Sequence, residues 1–494
     1  MPPASVTTAT TSLHIAGRWV PAVSGQWFEA VDPAHGTHLG EVALGDRADA
    51  QRAVEAAAAA APGWGATSAF HRAAALTRIG DVIAGRRDDL ARALTEDQGK
   101  PLRAEAYDEV DELVAYWRMA AADATRLEGL MPPSVDPRKR ILVQRVPRGV
   151  VGIITPWNWP YTMAAELLAP ALAGGNTVVW NPARHTSLCS VRLAECIVDA
   201  DLPPGVFNLV TGPGVTVGDE IAGHALTAAV GFVGSTRTGH GIARRAAGKE
   251  LLLELGGNGP LVVMDDADLD AAVAATLAAC YLNAGQSCTA GERILVHRHV
   301  HDRFLGALRD AVAAQVRMGD PLDDATTMGP LNNEANAAKT AHHVADAVAA
   351  GATLIAGGEA APAAGSPLFF RPTILAGVTE DMAIAREETF GPVAPVTVIA
   401  DLDEALRIVN ASSHGLLSAI FTRDLRRGLQ FAEAARSGWV NINEGTNYWE
   451  SHLPFGGRSG SVSGRGRVGG RSLLEAFTEP KTIHFPAPRN ARRG

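Results

Sequence analysis

The sequence predicts an α/β protein built on parallel sheets with helices on their faces. Three observations carry that prediction. A strand–helix–strand rhythm runs over residues 150–254, a second alternating block covers 261–443, and short aliphatic runs of buried-strand character separate segments of helical period. The chain has ample material for real cores, with 494 residues of which 47% are apolar and 20% charged. That balance excludes a disordered or collagen-like chain.

Taken in order, residues 11–30 read as short strands around a turn, at 13–15 and 19–20. Asp46 is placed to cap an Ala-rich helix that runs to Ala61, where Pro62-Gly63 is expected to stop it. Apolar residues recur at helical spacing over 70–99 and 105–126, and 141–146 is strand-like. The alternation then begins: strand at 150–154, helix at 163–172, strand at 177–180, helix at 188–199, strand at 206–210. It continues with helix at 218–223, a strand ending Gly231-Phe232-Val233, helix at 239–247 and strand at 251–254. The second block has strands at 261–264, 293–297, 396–399 and 439–442. Residues 456–470 read as a Gly/Ser/Arg-rich loop, and 473–483 as a short helix and strand.

Charge and cysteine content narrow the function classes. Lys and Arg number 44 against 53 Asp and Glu, a net −9, which argues against nucleic acid as a partner. No uninterrupted apolar stretch is long enough to span a bilayer, and the opening MPPASVTTATTSLHIAG lacks the basic and apolar regions of a secretion signal. Cys189, Cys196, Cys280 and Cys288 form no CxxC pair and no zinc-spaced cluster, so no metal and no disulfide framework are expected, and a cytoplasmic setting fits.

Four stretches have the chemistry of a site. Thr155-Pro-Trp-Asn-Trp-Pro follows a buried strand and puts the Asn158 amide in a rigid loop at the carboxyl end of a sheet, although packed tryptophans alone would explain it. Phe232-Val-Gly-Ser-Thr-Arg-Thr-Gly passes from strand to helix with small residues that let a pyrophosphate reach backbone N–H groups. A formal GxGxxG at 464–469 follows no strand and is read as a decoy. Leu253-Glu-Leu-Gly-Gly-Asn-Gly-Pro sets a carboxylate at a strand end, suited to a general base, though a lone Glu before glycines is usually a turn residue. Gly285-Gln-Ser-Cys-Thr-Ala-Gly-Glu places Cys288 in a polar, Gly-flanked loop that suits an accessible thiolate. The other three cysteines lie in apolar helical stretches and read as small buried hydrophobes.

In this order and spacing, and together with Glu387-Glu-Thr-Phe-Gly-Pro-Val, Leu453-Pro-Phe-Gly-Gly, Ser463-Gly-Arg-Gly-Arg and Thr478-Glu-Pro-Lys-Thr-Ile, these stretches resemble the aldehyde dehydrogenase superfamily over nearly the whole chain. The resemblance implies a Rossmann-like NAD(P)-binding domain over 12–126 and 147–255. It also implies an α/β catalytic domain over 256–452 and a β oligomerisation arm over 127–146 and 472–494. It implies NAD(P)-dependent oxidation of a small-molecule aldehyde to a carboxylic acid, and a homodimer or homotetramer. Cys288 would be the nucleophile, passing through a thiohemiacetal and a thioester. The Asn158 amide and the Cys288 N–H would hold the oxyanion, and Glu254 would activate water. The cofactor would lie along Ile154, Thr155, Trp157, Asn181, Arg184 and Gly214. It would continue past Phe232, Gly234, Ser235 and Thr238 to Leu255, Gly256, Glu388 and Phe390. A CoA-acylating relative and a non-catalytic family member are the alternatives; Glu254 argues against the first, and the intact Cys288, Glu254 and Asn158 against the second.

The chain departs from the family pattern at several points. Its usual Lys-Pro-Ser/Ala-Glu is Asn181-Pro-Ala-Arg184 here, and an Arg in that place can accommodate the 2′-phosphate of NADP. A commonly paired lysine and glutamate behind the general base are Leu167 and Val468. Losing both together avoids leaving one buried charge unpaired. Substrate-tunnel positions by resemblance are Trp159, Met163, Ser287, Thr289, Tyr448, Trp449 and Phe455, mostly aromatic or apolar, which favours a hydrophobic or aromatic aldehyde. No arginine flanks Cys288 to clamp a distant carboxylate, though Arg458 or His452 lies near enough in sequence to the tunnel residues to be considered.

Overall fold

Two open, mostly parallel sheets organise the chain in a computed structural model that describes residues 9–487. The opening residues 1–8 and the end of the expected arm, 488–494, lie outside the described residues. The first sheet has eight strands in the spatial order Gly464–Arg465, Glu250–Glu254, Thr227–Val233, Val150–Thr155, Thr177–Pro182, Phe207–Leu209, Leu13–Ile15, Arg18–Val20. Its five central strands are parallel. The second has seven strands, ordered Thr353–Ala356, Thr373–Ala376, Val393–Ile399, Gly291–His297, Gly259–Val263, Leu417–Phe421, Trp439–Ile442. All its pairs are parallel except the first. Every residue of Val150–Thr155 and of Gly259–Val263 is buried, as strands covered by helices on both faces must be.

Register decides where the site stands. Val150–Thr155 is followed in the chain by its neighbour on one side, Thr177–Pro182, while Thr227–Val233 pairs on its other side. The strand order therefore reverses at Val150–Thr155, and a crevice opens beyond the carboxyl ends of the two strands flanking the reversal. Ile154 sits opposite Phe232, and Val233 opposite Glu254. The loops after Thr155, Val233 and Glu254 thus leave the sheet side by side.

The Asp46 cap forms as its sequence predicts: its side chain accepts the N–H groups of Ala48 and Asp49 at 2.8 and 3.2 Å. The helix does not stop at Pro62, however, and runs Arg47–Gly65. Proline forfeits one hydrogen bond there, and the last turn is held by Trp64, buried with its indole N–H on the Leu172 carbonyl at 3.1 Å. The 456–470 stretch is not loop throughout. Gly464–Arg465 adds an antiparallel strand beside Leu253 and Glu254, and the approach is so close that a Cβ on Gly464 would lie 2.1 Å from the Leu253 carbonyl oxygen. The GxGxxG run accordingly begins at the edge of a sheet. Lys139–Pro147 pairs with Thr478–Pro486 as a separate antiparallel ribbon, and Ala9–Thr10, His38–Ala43 and Trp27–Val31 form a small third sheet.

Candidate active site

Cys288 lies on a loop that follows the helix Leu269–Tyr281 through three consecutive left-handed residues, Asn283, Ala284 and Gly285, with φ of 50°, 53° and 73°. Backbone in that region is strained for non-glycine residues and persists only where the surroundings over-determine it. Here buried amides do so. Asn283 donates to the Asn158 carbonyl at 2.9 Å and accepts from Gln98 at 2.9 Å, and its backbone N–H is taken by Glu105 at 2.9 Å. The Gln286 side chain accepts the Asn332 N–H at 2.8 Å. A Cβ at Gly285 would stand 2.1 Å from the Gly391 carbonyl oxygen, so no other residue fits that turn.

The loop presents Cys288 to a cavity of about 490 Å³ that Asn158 and Glu254 also line. Cys288 is partly exposed to it, whereas the other three cysteines are buried. Asn158 uses one amide hydrogen on the Gln286 carbonyl at 3.0 Å, which orients the group and leaves its second hydrogen for an oxyanion. Burial, then the carboxyl groups of Glu388, Glu254 and Glu166, push the Cys288 thiol upward, so it rests protonated and needs a base.

Glu254 ends its strand with both carboxyl oxygens buried and unpartnered. Burial and Glu166 hold its pKa well above the usual carboxylate range, with Arg467 pulling the other way. Gly456 makes room for it, since a Cβ there would lie 2.5 Å from Glu254 Oε1. Val468 lines the same cavity, while Leu167 is buried against Gly231 and does not.

The other end of the cavity fits a dinucleotide. Ser235 caps the ten-residue helix Thr236–Arg245, accepting the Thr238 N–H at 3.4 Å, and Gly234 precedes it, leaving a helix N-terminus open to an anion. Glu388 accepts the Gly257 N–H at 2.8 Å, and a Cβ on Gly256 would lie 2.9 Å from its carboxylate. The Phe390 ring stands edge-on to Trp157, with centroids 5.5 Å apart, and Leu255 completes the wall. Seven predicted cofactor residues do not line the cavity. Ile154 and Phe232 are core side chains beneath it. Thr155 accepts the Trp180 indole N–H at 2.9 Å, and the Asn181 amide is committed to the Val210 and Gly212 carbonyls at 2.9 and 3.3 Å. Gly214 and Thr238 are exposed beyond the cavity rim, and Arg184 is exposed with its guanidinium 4.8 Å above the Phe28 ring.

Of the tunnel residues, Trp159, Met163, Ser287, Thr289, Trp449 and Phe455 line the cavity. Tyr448 does not: it is 47% exposed, with its hydroxyl on Glu450 at 2.9 Å. Its chain neighbour Trp449 takes the inward direction instead. Neither Arg458 nor His452 reaches the wall. Sequence reasoning missed Glu112 and Glu166, two carboxyl groups that do. Burial pushes them up to about 7 and about 8 respectively. Glu166 had a visible signal, being the one charged residue of the otherwise apolar helix Thr162–Ala173. Away from the cavity, Asp265, His297 and His299 come close enough to hold a metal ion, against the expectation of no metal site, but Arg427 already occupies Asp265 at 2.7 Å.

Comparison with known proteins identifies the family. Residues 19–483 match the model of the aldehyde dehydrogenase family. The chain is 40% identical over 472 residues to the glutarate-semialdehyde dehydrogenase of Pseudomonas aeruginosa, covering 95% of this chain and 96% of that one. It is 39% identical to the NADP(+) succinate-semialdehyde dehydrogenase of Escherichia coli K12, over 94% and 96% of the two chains. The solved NAD-dependent aldehyde dehydrogenase of Sinorhizobium meliloti superposes with a TM-score of 0.93 at 37% identity, covering 98% of this chain and 96% of that one. The chain belongs to the aldehyde dehydrogenase family.

Proposed function

We propose that this protein oxidises an aldehyde with an apolar or aromatic body to the carboxylic acid, using NAD or NADP, through a covalent adduct on Cys288. The observation that carries the reading is the convergence of the Cys288 thiol, a half-free Asn158 amide and an unpartnered Glu254 on one cavity beside a dinucleotide-shaped wall.

Glu254, whose carboxyl group lines the same cavity as the thiol, takes the thiol proton as the sulfur attacks the carbonyl carbon. The resulting thiohemiacetal oxyanion falls to the Asn158 amide and the Cys288 N–H. A bound dinucleotide, held by Ser235, Gly234 and Glu388, supplies a hydride acceptor, and loss of hydride from the thiohemiacetal leaves a thioester. Glu254 releases that first proton to solvent and, ionised again, draws a proton from water, which attacks the thioester carbonyl; the C–S bond breaks, freeing the acid, and the proton returns to the Cys288 sulfur. Splitting the oxidation this way replaces one hard step by two easier ones. Trp159, Met163, Trp449 and Phe455 shield the adduct and suit an apolar substrate body.

An aldehyde panel with NAD and NADP, read as NAD(P)H absorbance, tests the reading. Activity is expected with at least one aldehyde, and Cys288→Ala should lower it by a factor on the order of 10⁴ or more. NAD(P)H formation that survives this substitution, or that requires CoA, would overturn the mechanism. The ribbon of Lys139–Pro147 and Thr478–Pro486, flanked by exposed Leu130, Met131 and Val135, supports a homo-oligomer, which light scattering would measure.

A further inference from the structure

The wall of the cavity beyond the thiol combines two features that an apolar aldehyde does not require. Trp159, Trp449 and Phe455 line it, and so do the carboxyl groups of Glu112 and Glu166. The two glutamates come from neighbouring helices, Tyr107–Ala124 and Thr162–Ala173. Glu166 is 1% exposed, and its one hydrogen-bond partner among the described residues is the Tyr116 hydroxyl at 3.4 Å. Neither glutamate forms an ion pair among the described residues.

Glu109, one turn earlier on the same helix as Glu112, shows what this fold does with a carboxylate it means to bury. Lys100 neutralises it, and the N–H groups of Tyr161 and Thr162 donate to it at 2.9 and 3.3 Å. Glu112 and Glu166 receive no such treatment, and Glu254, with both oxygens buried and unpartnered, adds a third carboxyl group to the same cavity. The cations that line the cavity, Arg237 and Lys339, stand at the dinucleotide end, Arg237 in the helix after Ser235 and Lys339 at 5.7 Å from the Phe390 ring. Among the described residues that line the tunnel end there are acceptors and aromatic faces but no cation; Lys100, 3.7 Å over the Trp159 ring, is committed to Glu109, and Arg467 acts on Glu254 from outside the lining.

Resting on the oxidation proposed above, we propose that the substrate aldehyde carries a cationic group, a protonated amine or quaternary ammonium, received by Glu112 and Glu166 among the tunnel aromatics. Rings flank the place: Trp449 lies with its centroid 6.3 Å from Tyr116 and 5.4 Å from Phe455. Such faces attract a cation as the carboxylates do. Burial, with Glu109 beside Glu112 and Glu112 beside Glu166, raises both carboxyl groups in its absence, Lys100 pulling Glu112 the other way, and the arriving charge favours their ionised forms. An anionic tail would meet like charge and no cation among the described lining residues of the tunnel end, which sets this tunnel apart from what a semialdehyde bearing a carboxylate needs.

Three aldehydes with the same three-methylene spacer test this: 4-(trimethylammonio)butanal, its neutral isostere 5,5-dimethylhexanal, and 5-oxopentanoate. With saturating NAD or NADP, kcat/KM should be roughly tenfold or more higher for the cation than for the isostere, and lowest for the anion. In the isosteric double variant Glu112→Gln/Glu166→Gln the ratio of cation to isostere should collapse toward one. The wild-type comparison stands even if that variant does not fold. Equal or better turnover of the neutral aldehyde, preference for the anion, or a cation preference that survives the double substitution would overturn the inference and leave the oxidation intact. No NAD(P)H from any of the three would overturn both.

Discussion

The loop that presents Cys288 and the strand end that presents Glu254 face the same cavity and are built in opposite ways. Around the thiol, Gln98, Asn158, Asn283, Gln286 and Asn332 form a connected set of amide hydrogen bonds that holds a left-handed turn in place. Around Glu254, neither carboxyl oxygen has a partner, and Val468 stands in the wall where a charged residue would have been expected from related sequences. The difference suits the two roles proposed for them. A nucleophile must meet a carbonyl carbon at bonding distance, and position is what a satisfied network supplies. A base must gain and lose a proton near neutral pH, and an apolar, unpartnered seat raises its pKa toward that range.

The contrast can be broken at either end. Glu254→Gln keeps the shape and removes the proton acceptor, so kcat should fall by ~10²–10⁴. In the parent protein, kcat should rise with pH through the raised pKa of Glu254, because only the ionised form accepts a proton. A pH–rate profile of both proteins checks this, since the variant should lack that limb. Asn158→Ala should cost ~10²–10³ in kcat with a smaller change in KM, as loss of one oxyanion donor does. A KM effect alone would reduce Asn158 to a support for the loop.

Glu166 sharpens the comparison through stability. Burial holds its pKa at about 8, above the ~4.3 of an unfolded glutamate. A raised folded-state pKa contributes stability that is complete below the unfolded value and is lost as pH rises through about 8. Glu166→Gln should therefore raise Tm by about 2–4 °C at pH 9 and change it little near pH 4.5, measured by calorimetry. The smallest effect belongs to Arg184, exposed above Phe28. Arg184→Glu should lower the NADP-to-NAD ratio of kcat/KM by about two- to fivefold, since a surface charge pair is weak.

Much of the molecule was legible along the chain. The strand–helix alternation predicted the two sheets, Asp46 marked a helix start, and Cys288, Glu254 and Asn158 stood out as site candidates once their local stretches were read together as a family resemblance. The misses share a cause. Pro62 was expected to end a helix that Trp64, anchored to Leu172, carries onward. Gly464 and Arg465 read as loop because the partner that makes them a strand is the distant Leu253–Glu254 edge. Tyr448 was placed in the tunnel that its neighbour Trp449 occupies.

By itself the sequence determined the class of elements, their order and the candidates for the reacting groups, because periodicity, capping and motif chemistry act over a few neighbouring residues. Only the tertiary structure decided which side chains share the cavity. Glu112 and Glu166 meet at the wall because two helices pack at one angle and register, and their proton affinities are set by what that packing excludes: water and any paired cation.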